Sequence, residues 1–136
     1  MAQVSFPSLD AAETVEVEFV KLDGSGRALK LLVDTGFTGR SSVVLGIDAG
    51  DLIRACLPAA QTTGALKGPQ DRAWVTCRIP GLDFQATVIA IVTDISALSL
   101  PSGVEGMVGL TFLRHFTRWG AEQTGAGWQF VLERAA

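Results

Sequence analysis

A mostly β, turn-rich single domain is the fold this sequence predicts, and three observations predict it. Apolar and polar residues alternate in Val15-Glu16-Val17-Glu18-Phe19, the period-two pattern of a half-buried strand. Phe84 to Val92 is a run rich in β-branched residues, which suit a pleated surface. Fifteen glycines are spread through 136 residues, with turn pairs such as Asp23-Gly24 and Pro80-Gly81 between apolar runs. At 48% hydrophobic and 18% charged, a chain of this size buries a real core, and wholesale disorder is excluded.

Residues 1–13 show no periodicity and are expected to form a loose or edge-lying tail, with one domain over 14–136. A strand begins at Thr14. Asp23-Gly24 and Gly26 then turn the chain into a second strand, Ala28 to Val33, which runs into Asp34. Asp34-Thr35-Gly36 breaks it, and Ser41 to Leu45 reads as another short strand. Leu52, Ile53 and Cys56 have helical spacing, so a helix is expected over Ala49–Leu57, with Asp48 as N-cap and Pro58 as its stop. Gln61 to Arg72 is polar and loop-like. Trp74–Ile79 and Phe84–Val92 are strands, and Asp94–Glu105 is a loop. Leu110, Leu113 and the pair Phe112/Phe116 predict a short helix. Strands near Thr117–Gln123 and Trp128–Glu133 complete the chain, with Gly125 and Gly127 in the turn between them.

Charge narrows the function. Eleven basic and fourteen acidic residues give a net charge of −3, and no basic run forms a patch. Nucleic-acid binding lacks its electrostatic footprint, and so does polybasic membrane attachment. No segment approaches the roughly 20 apolar residues that cross a bilayer. Met1 to Asp10 has no secretory pattern, so the expectation is a cytoplasmic protein with Cys56 and Cys77 as two buried thiols. Cys56, Cys77 and His115 have no metal-ligand spacing. Neither a metal nor a cofactor is expected. His115 is the only histidine, and no nucleophile elbow accompanies it. Trp74, Trp119 and Trp128 read as core or interface aromatics.

The informative segment is Leu31-Leu32-Val33-Asp34-Thr35-Gly36-Phe37-Thr38-Gly39. A buried carboxylate without partners is costly, and here an Asp directly follows three aliphatic residues. The Thr-Gly that follows offers a hydroxyl and free backbone N–H groups, which can hold a carboxylate in one orientation for acid–base work. The same triplet is also ordinary turn chemistry.

Together with Met107-Val108-Gly109-Leu110-Thr111-Phe112-Leu113, about 70 residues on, this segment resembles the two signatures of the retropepsin-like aspartic proteases, particularly their small bacterial relatives. The likeness runs from about Val15 to Leu132. It implies a closed β-barrel of the acid protease fold, with one or two short helices and one lobe per chain. It implies that Asp34 is catalytic, that Thr35 locks the two active-site loops of a dimer together, and that Gly36 contacts bound peptide. Phe37 and Thr38 would line the substrate site, with Phe37 narrowing it. A flap hairpin is expected within Gly64–Trp74, with Lys67, Gly68 and Pro69 near its tip. Viral members follow the second-signature Gly with an ion-pairing Arg. Leu110 and Thr111 stand there instead, and Arg114 reads as a surface residue.

The implied function is endopeptidase activity on a peptide or protein substrate, with water held between two carboxylates. One Asp-Thr-Gly per chain implies a homodimer. The apolar strand Trp128–Leu132 would leave a costly free edge in a monomer and is expected to help form the interface. Two other readings stay open: a catalytically inactive, dimeric peptide-binding module on the same fold, and a plain β-rich structural domain.

Overall fold

The computed structural model describes residues 2–62 and 68–135. Ten strands lie among them, in chain order β1 Ala2–Pro7, β2 Thr14–Val20, β3 Gly26–Val33, β4 Val43–Gly46, β5 Ala55–Thr62, β6 Gly68–Ile79, β7 Phe84–Thr93, β8 Gly106–Val108, β9 Arg118–Thr124 and β10 Gly127–Arg134. A four-residue helix, α1, spans Leu110–Leu113, and 3-10 turns cover Ile47–Leu52 and Ile95–Leu98.

Six strands close into a barrel in the order β2-β3-β8-β4-β7-β6, and the ring is sealed where β6 returns to β2. The seal is short, with Glu18 opposite Arg78 and Phe19 opposite Cys77. An ion pair between the Glu18 carboxylate and the Arg78 guanidinium lies across the same seam. Closure removes most of the sheet's edges. Val15, Val17 and Phe19 are fully buried while Glu16 faces out, the split that the alternation predicts. Leu31, Val43, Val75 and Phe112 join them in one core.

Strand β8 lies between β3 and β4, which are neighbours in sequence. It runs parallel to β3, with Leu32 opposite Met107, and antiparallel to β4, with Val44 opposite Met107. This insertion brings backbones close together. A Cβ on Gly106 would stand 2.2 Å from the Val44 carbonyl oxygen.

A smaller sheet, β1-β10-β9, packs on the barrel through Phe130 and Leu132 of β10, which reach the main core. Strand β10 is therefore central, paired on both sides, with Val4 opposite Leu132 and Trp119 opposite Leu132. This corrects the expected free edge at Trp128–Leu132: β1 covers one side and β9 the other. Residues 2–7, expected in the tail, are an edge strand. Ala2, Val4 and Phe6 alternate with exposed Gln3, Ser5 and Pro7.

The helix expected over Ala49–Leu57 is replaced by the 3-10 turn and β5. Gly46, with no side-chain bond, caps that turn, and the Asp48 carboxylate instead pairs with Arg27 at 3.4 Å. The long edge of β6 offers Ala55–Thr62 a ladder, and that pairing overrides a short helical spacing. Pro58, which cannot donate, sits where the register shifts between Leu57 and Ala60. Cys77 is buried, its thiol pKa pushed up to about 12 by burial, whereas Cys56 is exposed, contrary to the expected pair of buried thiols. Both are unpaired.

Gly106→Ala forces a methyl group into the Val44 carbonyl. It is expected to cost about 1–3 kcal/mol in a denaturant melt. Gly125→Ala, with open space around it, serves as the near-neutral control.

Candidate active site

Asp34 is the first residue beyond β3. Its N–H donates to the Val108 carbonyl at 3.0 Å, which extends the β3–β8 ladder by one bond. Its side chain then turns back on its own loop. The Gly36 N–H donates to Asp34 Oδ1 at 3.0 Å, and the Phe37 N–H donates to the Asp34 carbonyl at 3.1 Å. One carboxylate oxygen is thus held by the Asp-Thr-Gly turn. Among the described residues Oδ2 has no partner. Asp34 is half-buried, and Thr35 and Gly36 are exposed beside it.

Residues 34–42 are bolted at both ends to the segment that carries Gly109. The Leu110 N–H donates to the Phe37 carbonyl at 2.9 Å, and the Gly109 N–H donates to the Ser42 carbonyl at 3.0 Å. The Thr111 hydroxyl donates to the Gly39 carbonyl. Phe37 is half-buried, and its ring lies against Gly109 so closely that a Cβ there would be 2.4 Å from Phe37 Cδ2. The same ring packs on an apolar cluster of Val44, Ile91 and Met107. These contacts explain why a Gly follows the two apolar residues in Met107-Val108-Gly109: any side chain would displace Phe37 and open the loop.

The remaining expected site residues are placed as follows. Thr38 is exposed on the same loop. Gly68 and Pro69 begin β6, opposite Thr62 and Gln61, so they belong to the β5–β6 hairpin. Lys67 and the rest of Gly64–Lys67 lie outside the described residues. Arg114 is exposed at the end of α1. The His115 ring lies tilted against Phe84, with ring centroids 5.5 Å apart, and its pKa is held below the ordinary value first by burial and then by the Arg134 charge.

One wall beside Asp34 carries no mark in the sequence. An open groove of about 750 Å³ is lined by residues 8–13, by Leu32, Val33 and Asp34, and by Trp128. The Glu13 carbonyl accepts the Val33 N–H at 2.9 Å, and Ser8 Oγ donates to Glu13 Oε2 at 2.6 Å. No local pattern marks residues 8–13 as neighbours of Asp34. Only the pairing of β2 with β3 brings them there.

No family model matches the chain, and no curated protein matches it. Among solved structures, the crystal structure of a retropepsin-like aspartic protease from Rickettsia conorii is similar over 98% of this chain and 92% of that one, with a TM-score of 0.58 and 14% sequence identity. The likeness is one of fold: the chain has the retropepsin-like, mostly β closed-barrel architecture.

Phe37→Ala removes the ring that seats the loop on Gly109. Because the ring is only half-buried, a loss of about 2 kcal/mol is expected, below the 3–5 kcal/mol typical of a core Phe. Hydrogen exchange should rise at the Asp34, Phe37 and Leu110 amides before it rises at those of β6 and β7.

Proposed function

We propose that the chain is an aspartic endopeptidase that works as a homodimer, with Asp34 of each protomer facing a shared water. The observation that carries this reading is the Asp-Thr-Gly turn itself. It sits at the end of β3 on a retropepsin-like barrel, with one carboxylate oxygen held by the Gly36 N–H and the loop clamped by Gly109 and Leu110.

Each chain brings one such carboxylate, so a two-fold axis beside the loop supplies the second. Thr35 is exposed and without a partner among the described residues, and in this reading it bonds across that axis. Two carboxylates about 3 Å apart share one proton, because both cannot ionise together. The ionised one takes a proton from the water as it attacks the scissile carbonyl carbon. The protonated one gives its proton to the carbonyl oxygen. The tetrahedral diol then collapses: the C–N bond breaks, the leaving nitrogen takes a proton from the carboxyl that now holds one, and the other carboxylate takes a proton from a diol hydroxyl, which leaves a carboxylic acid, an amine and one proton on the pair. Acid and base roles come from symmetry, since the two residues are chemically identical. Phe37, Thr38 and Gly36 serve as substrate walls in this reading, and the β5–β6 hairpin with Gly68 and Pro69 covers the bound peptide.

Asp34→Asn keeps an oxygen for the Gly36 N–H, so fold and assembly should survive. Cleavage of a mixed peptide pool should fall at least about a thousandfold. Excess Asp34→Asn protein, given time for subunit exchange, should poison the wild type. An active, Asp34-dependent protein that sediments as a monomer at assay concentration would end the dimer reading. A binding module without catalysis would hold peptides equally well before and after the substitution and cleave none.

The rate should follow a bell-shaped pH profile with an acidic optimum. A flat or rising profile between about pH 5 and pH 9 would assign the chemistry to other groups.

A further inference from the structure

The groove beside Asp34 has a chemistry of its own. Of its ten lining residues, Asp10, Glu13 and Asp34 carry carboxyl groups, and none is Lys, Arg or His. Leu9, Leu32 and Val33 give it apolar flanks, and Trp128 adds an indole 54% exposed to solvent. Leu22 and Ile47 are the other large apolar side chains so exposed among the described residues, and neither lines this groove.

The wall is held in place. The Ser8 N–H donates to the Trp128 carbonyl at 3.0 Å, which fixes the 8–13 segment to β10. Leu9 and Ala12 exchange backbone bonds of 2.9 and 3.3 Å, which closes the turn that presents Asp10. Ser8 Oγ occupies Oε2 of Glu13 and leaves Oε1 free. Among the described residues the Asp10 carboxylate has no ion-pair partner. The groove, at about 750 Å³, falls within the roughly 300–1,000 Å³ usual for ligand sites.

Apolar flanks, an aromatic face and carboxylates without a cation suit one kind of guest: a long side chain with an apolar stem and a cationic head. We infer that this groove is a specificity subsite that takes a Lys or Arg side chain of the peptide substrate, with Asp10 and Glu13 accepting from its head and Trp128 covering its stem. Lys and Arg bury their methylene stems on apolar surface while the head stays polar, and an indole face attracts the cation. The inference rests on the reading of Asp34 as the catalytic carboxylate, because that places the substrate chain at the groove's mouth.

Binding and cleavage test the two separately. Asp34→Asn protein, held at a concentration where it is assembled, is titrated with peptides that differ only in carrying Arg, norleucine or Glu at one position, scanned along the sequence. At one position the Arg peptide should bind about tenfold more tightly than the norleucine peptide, and added salt should erode that margin. The margin should shrink to about twofold when Asp10→Asn and Glu13→Gln are added, and Trp128→Leu should also reduce it. Asp10→Lys with Glu13→Lys should shift the preference to the Glu peptide, a gain that a misfolded variant cannot show. Equal binding of Arg and norleucine peptides at every position overturns the inference. So does a weaker dimer in the Asn/Gln variant with its peptide preference unchanged, which would give the groove to a second copy of the chain. Asp34-dependent cleavage of the norleucine peptide reports on the catalytic reading alone. Its presence without an Arg preference sinks the subsite and spares the protease, and an Arg preference in binding without cleavage does the reverse.

Discussion

Strand β8 is wedged between β3 and β4, so closely at Gly106 that a Cβ there would meet the Val44 carbonyl, and the Asp34 loop depends on that wedge. The Val108 carbonyl accepts from Asp34, the Gly109 N–H donates to Ser42, and the Leu110 N–H donates to Phe37. Three backbone bonds thus come from three consecutive residues of one segment, Val108, Gly109 and Leu110. They hold both ends of a loop that would otherwise be a loose connection between two strands. A carboxylate intended for proton transfer must be held to within a fraction of an ångström, and loops rarely achieve that alone. Here the sheet interior holds the loop that carries Asp34, the carboxylate proposed for that task.

The rest of the architecture keeps the wedge in place. Barrel closure at the Glu18–Arg78 seam stops the sheet from opening, and the core of Val15, Phe19, Leu31 and Phe112 fills the inside. Phe112 and Leu113 belong to that core and lie on α1, which starts directly after Gly109, so α1 anchors the wedge to the core. The ring of Phe37 on Gly109 pins it from the loop side. Rigidity at Asp34 therefore comes from packing at several removes, and the polar groups themselves stay few.

The small sheet contributes differently. By placing β10 between β1 and β9, it consumes the edge that would otherwise invite pairing. It also presents Trp128 and, through the Ser8 bond to its carbonyl, the acidic turn at residues 8–13. The barrel thus positions the proposed chemistry, and the N- and C-terminal segments shape what can approach it.

Much of this was legible in the residues. Strand β2 shows its alternation, Asp23-Gly24 its turn, and Asp34-Thr35-Gly36 its place at a strand end, because period and turn chemistry are local properties. The resemblance of Leu31–Gly39 and Met107–Leu113 to a known pair of signatures carried the fold class. Other features were decided only by pairing between distant segments. Ala55–Thr62 is a strand because β6 offers a ladder, whatever its helical spacing. Trp128–Leu132 is central because β1, which read as an unpatterned tail, lies along it. Residues 8–13 stand beside Asp34 because β2 and β3 are in one register, with Thr14 opposite Leu32. Sequence alone thus determined which residues prefer to be extended, turned or buried. Which of them meet was settled by the closed barrel, because backbone hydrogen bonds between strands are chosen by competition among all available edges, and no single segment encodes its partner.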